Sequence, residues 1–149
     1  MLAATKAMDV PVETTPPGNH SAKWRQIVGP VEPFLEAVAN RLGEQVRAFD
    51  PEIAPYAQYA LTNQGKQLPP ALVGLSGSAV GTLNDNSITV AVIIEMIHLA
   101  TLVHDDIMDE AEIRRRKPTL AAHWGSEISV LLGDCLFAHG LKMAASFPT

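Results

Sequence analysis

The segment Ile88–Glu110, ITVAVIIEMIHLATLVHDDIMDE, decides the fold of this chain. It contains no proline or glycine, and its apolar part runs from Ile88 to Val103, where Glu95 and His98 are the ionisable residues. As an α-helix this part would span about 24 Å, short of the roughly 30 Å hydrocarbon core of a bilayer. We therefore predict a buried core helix and no transmembrane segment.

Three aspartates follow this apolar run: Asp105, Asp106 and Asp109. Asp105 and Asp109 are four residues apart, so on a helix they share one face and repel each other. Burial of these charges in a core raises the cost further. A hard divalent cation such as Mg²⁺ removes the conflict, because it prefers carboxylate oxygens and keeps positions for water and phosphate. The segment predicts a magnesium diphosphate site, with a solvated helix end as the alternative.

The run Arg114–Lys117, four adjacent cations, comes next and is followed by Pro118 and Thr119. Arginine forks hold phosphate oxygens in pairs, which lysine does not do. Carboxylates followed by arginines therefore indicate a phosphate clamp, in which metal binds one side of a diphosphate and guanidinium groups bind the other. A solvated basic loop is the alternative interpretation.

The stretch Glu95–Thr119, EMIHLATLVHDDIMDEAEIRRRKPT, resembles the first aspartate-rich region of the trans-isoprenyl diphosphate synthases, or polyprenyl synthetases. It matches their DDxxD motif followed by RRxxPT. The resemblance covers about residues 24–149. It implies an all-α antiparallel helical bundle, corresponding to the first half of the isoprenoid synthase fold.

The resemblance also implies catalytic roles. Asp105 and Asp109, with Asp106 in support, would hold Mg²⁺ on the diphosphate of an allylic substrate. Arg114 would bind the same allylic diphosphate. Metal and arginine would then stabilise the charge that develops on the leaving group, with no protein nucleophile.

A second pocket, for isopentenyl diphosphate, is implied at Arg115, His98 and Lys66. From the residues alone, His98 is equally well a core histidine, and Lys66 beside Gly65 is equally well a cation at a helix end. The family reaction joins the allylic and isopentenyl diphosphates through an allylic carbocation. The resemblance also implies that the residues four and five positions before the first aspartate form the floor of the product pocket. Here they are the small Thr101 and Ala100, which favour geranylgeranyl or longer products, with Ile97 and Ile94 deeper on the helix as an alternative floor.

The chain departs from the family pattern in three places. Gln64–Pro70 stands where GGKRxRP is usual, and Pro69 occupies the position of an arginine that contacts isopentenyl diphosphate. Arg116 replaces the usual glycine. Family members also carry a second aspartate-rich motif and are roughly twice as long, so we expect a fragment whose turnover alone is doubtful. The alternatives are a noncatalytic prenyl synthase-like subunit or interaction module, and an inactive gene fragment.

Other classes fit the residues less well. The pair Glu95 and His98 has the spacing of carboxylate di-iron sites, but those need two such pairs. An EF-hand fails because Ile107 occupies a ligand position. With 11 basic and 16 acidic residues the net charge is -5, so no nucleic acid partner is expected. Cys135 is the single cysteine, which excludes a disulfide within the chain and favours the cytoplasm. The resemblance implies a homodimer or heterodimer for the intact family.

The remaining pattern predicts a disordered tail over residues 1–22 and a helical domain over 23–149, without strands. Helices are predicted to begin at Pro30 or Pro33, after Asp50, at Pro69 and Pro70, after a cap within 85–87, and after Ser126, which would cap the last one. Their expected ends are respectively near Phe49, between Asn63 and Gly65, at Val80, beyond the aspartates, and near Ala145.

Overall fold

The computed structural model describes residues 20–62 and 65–147 and confirms the all-α prediction. A short 3-10 turn, Gly29–Val31, joins the first two helices. The helices are α1 His20–Val28, α2 Glu32–Arg47, α3 Ala54–Thr62, α4 Leu68–Val80, α5 Asp85–Met108, α6 Leu120–Trp124 and α7 Ser126–Ala145. Between α5 and α6, a small antiparallel hairpin pairs β1 Ile113–Arg114 with β2 Lys117–Pro118.

Helix α5 is the centre of the bundle. It packs most extensively against α7, and also against α2 and α4. Its buried apolar side chains belong to one core together with residues of α2, including Val38, Leu42 and Val46. By length and composition alone, α5 and α7 are both apolar enough to cross a membrane. For α5, the packing of its apolar side chains into the core accounts for that composition.

The start of α5 is fixed by a capping box. Asn84 accepts a hydrogen bond from the backbone N–H of Ser87 at 3.0 Å, and the Ser87 hydroxyl accepts one from the N–H of Asn84 at 3.3 Å. The prediction placed the cap within 85–87, one residue too late. Reciprocal capping satisfies two backbone donors that the first helical turn leaves without intrahelical partners.

Several predicted boundaries are corrected. Helix α1 begins at His20, so the last three residues of the predicted tail are helical, while residues 1–19 lie outside the described part. Helix α3 begins at Ala54, because Asp50 accepts a hydrogen bond from the N–H of Glu52 within a turn rather than capping the helix directly. Ser126 is the first residue of α7, and Gly125 is its N-cap.

Helix α6 and the hairpin were not predicted. Thr119 caps α6 by accepting a hydrogen bond from the N–H of Ala122 at 3.1 Å. The two strands are two residues each, too short to show an alternating pattern. Both elements belong to the connection that carries the predicted arginines, so they decide the geometry of the site.

Candidate functional site

The end of α5 turns the chain back toward the helix immediately after Asp109. The backbone N–H of Glu110 donates to Ile107 O at 3.1 Å, and the N–H of Ala111 donates to Asp106 O at 2.9 Å. Glu110 has φ 50°. This is the Schellman arrangement, in which a left-handed residue satisfies the last helical carbonyl groups. It brings the arginine segment back beside the aspartates.

Thr119 closes the base of the hairpin. Its buried hydroxyl donates to Ala111 O at 2.6 Å, and its N–H donates to Glu112 O at 2.9 Å. At the tip, Arg115 and Arg116 have φ 51° and 68°. Two left-handed residues between paired strands are typical of a type I′ turn, where glycine or asparagine is usual. The tight turn forces adjacent arginines to project from one fixed tip.

Arg114 forms an ion pair with Asp106. Its Nε donates to Asp106 Oδ1 at 2.6 Å, and Asp106 is only 8% exposed. Asp105 and Asp109 are exposed instead. The expectation that all three carboxylates share a buried, charge-conflicted position is therefore corrected: the buried aspartate is met by an arginine, and the other two are hydrated.

Asp105 and Asp109 lie one turn apart at the end of α5, and the N–H of Asp109 donates to the Asp105 carbonyl at 2.8 Å. Over residues 20–62 and 65–147, no three histidine, cysteine or acidic side chains converge as a metal-ligand group. Mg²⁺, however, is commonly bound through one or two carboxylates with water and substrate phosphates. Two exposed carboxylates on one helical face fit that donor set, and the predicted ligand roles remain predictions.

Lys66, His98 and Arg115 line one cleft of about 490 Å³. They come from the segment before α4, the middle of α5 and the tip of the hairpin, so only the fold brings them together. Trp24 of α1 and Glu95 of α5 also line the cleft. The resemblance placed these three residues in a second diphosphate pocket, and in the structure they line one concave surface. Two of them, Lys66 and Arg115, carry a positive charge.

Gly65 leaves room for the Arg115 side chain in this cleft. A Cβ atom built on Gly65 would overlap the Arg115 guanidinium, so the guanidinium occupies space that only glycine leaves open. Pro69 lines the same cleft. It contributes an apolar ring to the lining of the cleft.

Helix α3 anchors the hairpin. The Tyr59 hydroxyl donates to Pro118 O at 2.9 Å, and Lys117 Nζ donates to Thr62 O at 3.4 Å. The Tyr59 ring also meets the Trp124 ring edge-on, with 4.7 Å between centroids. The arginine tip is thus fixed from α3 and α6 as well as from α5.

Glu95 is the acidic residue that lines the cleft, and its pKa is strongly shifted. Its side chain is buried, at 3% exposure. Burial raises the pKa of Glu95 to about 7, while the attraction of Arg115 opposes part of that rise. A carboxyl that changes charge near neutrality beside a basic cleft is a candidate functional group.

Sequence reasoning missed four contributors to the site: Trp24, Tyr59, Gly65 and Glu95. Glu95 was noticed as a polar residue in the apolar run and as half of an unsuccessful di-iron pattern, but not as part of the site. Its signal was a lone acid one helical turn before His98 inside an apolar run. Tyr59 carries no local signal, because its partner Pro118 is 59 residues away.

Together, the bundle, the exposed aspartate pair and the basic cleft define an all-α protein with adjoining sites suited to a divalent cation and to polyanions. The polyprenyl synthetase family model matches residues 50–149, about two thirds of the chain. The chain therefore belongs to the polyprenyl synthetase family.

Individual relatives agree. Heptaprenyl diphosphate synthase component 2 of Bacillus subtilis is 40% identical over 110 residues, which cover 73% of this chain and 31% of that protein. Among solved structures, decaprenyl diphosphate synthase from Rhodobacter capsulatus matches with TM-score 0.76 and 30% identity, covering 83% of this chain and 38% of that one. A polyprenyl synthase from Caulobacter crescentus, complexed with calcium and isoprenyl diphosphate, matches with TM-score 0.75 and 33% identity over 83% and 38%. The chain spans about a third of the length of the curated relatives it matches.

Proposed function

We propose that this chain forms the allylic metal-binding edge and the isopentenyl diphosphate cleft of an isoprenyl diphosphate synthase. The observation that carries the proposal is the meeting of Lys66, His98 and Arg115 in one cleft, beside the hairpin that joins it to the aspartates. Two cations facing a concave surface attract a diphosphate, and a guanidinium fork gives bidentate contacts.

The chemistry follows from the charges. Asp105 and Asp109 would hold Mg²⁺, which on binding supplies positive charge that stabilises the departing diphosphate. In the condensation, the C–O bond of the allylic diphosphate breaks, the double bond of isopentenyl diphosphate forms a C–C bond to the allylic carbon, and a proton is lost. Arg115, Lys66 and His98 would orient isopentenyl diphosphate for that attack. Such positioning lowers the entropic part of the barrier.

Arg114 has a more constrained role than the resemblance implied. Because its Nε is engaged by Asp106, only the remaining N–H groups of the guanidinium are available to the allylic diphosphate. The pair would hold the arginine in place next to Asp105. Restricting the arginine before substrate binds reduces the conformational entropy lost on binding.

The product is proposed to be geranylgeranyl or longer, because the residue one turn before Asp105 is the small Thr101, which is exposed. Ala100 was expected to share this role, but it is 1% exposed and belongs to the core. Ala100→Phe would therefore disrupt packing rather than block a tail.

In a chimera that completes the domain with sequence from the Bacillus relative, Thr101→Phe should shorten the product; an unchanged length would reject this assignment.

Isothermal titration of the purified chain tests the two binding sites. Farnesyl diphosphate should bind with Mg²⁺ and lose that binding in EDTA or in Asp105→Ala. Isopentenyl diphosphate should bind the wild type and not Arg115→Ala. Gly65→Ala should weaken isopentenyl diphosphate binding about tenfold or more, since its Cβ displaces a charge-assisted donor. Gly29→Ala is the matched control, because a Cβ there meets no atom within 4 Å.

A noncatalytic prenyl synthase-like subunit or interaction module is the second candidate. Pro69 in the cleft favours it, because an apolar ring there offers no contact to a phosphate. The name of the Bacillus relative, a synthase component, also fits a two-subunit assembly. A homodimer or heterodimer is therefore part of the proposal. A cytoplasmic location is also part of it. A cooperatively folded chain that binds neither diphosphate would reject the enzyme proposal and favour the subunit.

A further inference from the structure

Glu95 has no part in the function proposed above, yet it lies in the same cleft. It is on α5, one turn before His98, and faces the cleft with Arg115 and Lys66. At 3% exposure it is one of the most deeply buried ionisable groups that the structure describes. A bare carboxylate is unfavourable both in a buried position and close to a bound diphosphate.

Two constraints act on Arg115. Its guanidinium fills the space over Gly65 that a Cβ would take. In addition, its positive charge attracts the Glu95 carboxylate, which lines the same cleft. A long arginine side chain at the tip of a two-residue turn has many rotamers, and each one it loses costs free energy on binding. The Glu95 carboxylate restricts the guanidinium in the empty cleft, and a diphosphate that binds there competes with this carboxylate for the same positive charge.

The charged and titratable groups of the cleft are few. Arg115 comes from the hairpin, Lys66 from the segment before α4, and His98 from α5 itself. The lining residues from α1 and the start of α4 are Trp24, Leu68 and Pro69, which carry no charge. Burial has already moved the pKa of Glu95 to about 7, so a second negative charge nearby is enough to favour its protonated form at neutral pH.

We propose that Glu95 is a proton-coupled positioning residue: its carboxylate holds the Arg115 guanidinium over Gly65, and it takes up a proton from solvent when a diphosphate engages that guanidinium. The inference rests on the proposed function, because it requires the cleft to bind a diphosphate. The proton ends on a Glu95 carboxyl oxygen, and no covalent bond of the ligand changes. The expected consequence is a diphosphate affinity whose pH dependence contains a contribution from Glu95.

Inorganic pyrophosphate is the probe, titrated calorimetrically into the wild type and Glu95→Gln at pH 7 in two buffers of different ionisation enthalpy. Because a group at its pKa is half protonated, the wild type should take up about 0.5 proton more than the variant. Since glutamine mimics the protonated carboxyl, the affinity ratio of variant to wild type should rise from about 1 at pH 6 toward about tenfold at pH 8. Protonation of pyrophosphate in solution is common to both proteins and cancels in this difference.

The outcomes separate the inference from the proposed function. Equal proton uptake and a pH-independent affinity ratio, with binding still lost in Arg115→Ala, would overturn the role of Glu95 and leave the cleft as a diphosphate site. No pyrophosphate binding by the folded wild type would overturn both. If Glu95→Gln does not fold, the ¹³C carboxyl resonance of Glu95 in the wild type gives the same answer: a pyrophosphate-induced shift toward the protonated value supports the proposal, and an unchanged resonance rejects it.

Discussion

At the scale of single residues, Glu95 makes the folded chain less stable as pH rises. Its pKa is raised from 4.5 to about 7 by burial. Below pH 4.5 the carboxyl is protonated in both states and costs nothing. Between 4.5 and 7 the unfolded chain releases its proton while the folded chain keeps it, so the penalty grows to about 3 kcal/mol above pH 7.

Glu95→Gln should therefore raise the free energy of unfolding by about 3 kcal/mol more at pH 8.5 than at pH 4.5. Urea unfolding of both proteins at the two pH values measures this difference directly. Other titrating groups are common to the two chains and cancel. A gain of equal size at both pH values would show that packing, and not charge, dominates at this position.

Arg116 has a strained backbone conformation at the tip of the hairpin. Its φ of 68° is in the left-handed region, where a Cβ costs roughly 1 to 2 kcal/mol. Arg116→Gly should raise the free energy of unfolding by about 1 kcal/mol, because part of the relief is offset by the greater freedom of glycine in the unfolded chain.

Arg116→Ala is the matched control for this prediction, since it removes the same charge but keeps the Cβ atom. Chemical unfolding of the three proteins compares them. If alanine and glycine stabilise equally, charge repulsion among the neighbouring cations is the cause, and the strain argument is wrong.

At the scale of elements, the hairpin depends on α3 for its position. The Tyr59 hydroxyl donates to Pro118 O in β2. Tyr59→Phe removes one hydrogen bond, worth about 1 kcal/mol, from the anchor of the strand next to Arg115. Isopentenyl diphosphate should then bind about fivefold more weakly, and the free energy of unfolding should fall by about 1 kcal/mol.

Tyr56→Phe is the control for this anchor. Tyr56 lies one turn earlier on α3 and also meets Trp124 edge-on, at 5.4 Å between centroids. Calorimetric titration and thermal unfolding of both variants decide the point. Both variants keep the aromatic ring, so if the two substitutions have the same effect, the loss of a hydroxyl from α3 is responsible and the bond to Pro118 has no specific role.

Some of the elements could be predicted from the sequence, and others could not. The long apolar run predicted α5, because a helix buries so many consecutive apolar residues. The predicted cap of α5 within 85–87 was one residue late, and the predicted start of α4 at Pro69 was also one residue later than the observed Leu68. Helix α6 was missed because its five residues are fewer than two helical turns and its cap, Thr119, was assigned to the motif. The hairpin was missed because its turn uses arginines where turn chemistry predicts glycine or asparagine.

The site was predictable only in part for a related reason. Helical spacing correctly placed Asp105 and Asp109 on one face. It could not show that Asp106 would be buried against Arg114, because that depends on where the Schellman turn sends the chain. The cleft of Lys66, His98 and Arg115 was available only through resemblance to a family, since no local pattern connects residues that are so distant along the chain.

At the scale of the whole molecule, α7 has two faces of similar apolarity but different burial. Leu132 and Leu136 are buried against the core. The opposite side exposes large apolar side chains: Val130, Leu131, Phe137 and Leu141. Apolar residues that recur along the exposed side of one helix form a patch that favours association.

The double variant Phe137→Gln, Leu141→Gln should therefore reduce self-association of the chain with little loss of stability. Both side chains are about half exposed, at 43% and 50%, so their removal leaves no cavity. Light scattering after gel filtration over a range of concentrations measures association, and urea unfolding measures stability. Leu136→Gln is the contrasting control, because it places an amide in the core and should lower the free energy of unfolding by several kcal/mol. If the double variant associates as strongly as the wild type, the α7 patch is not the surface that drives association.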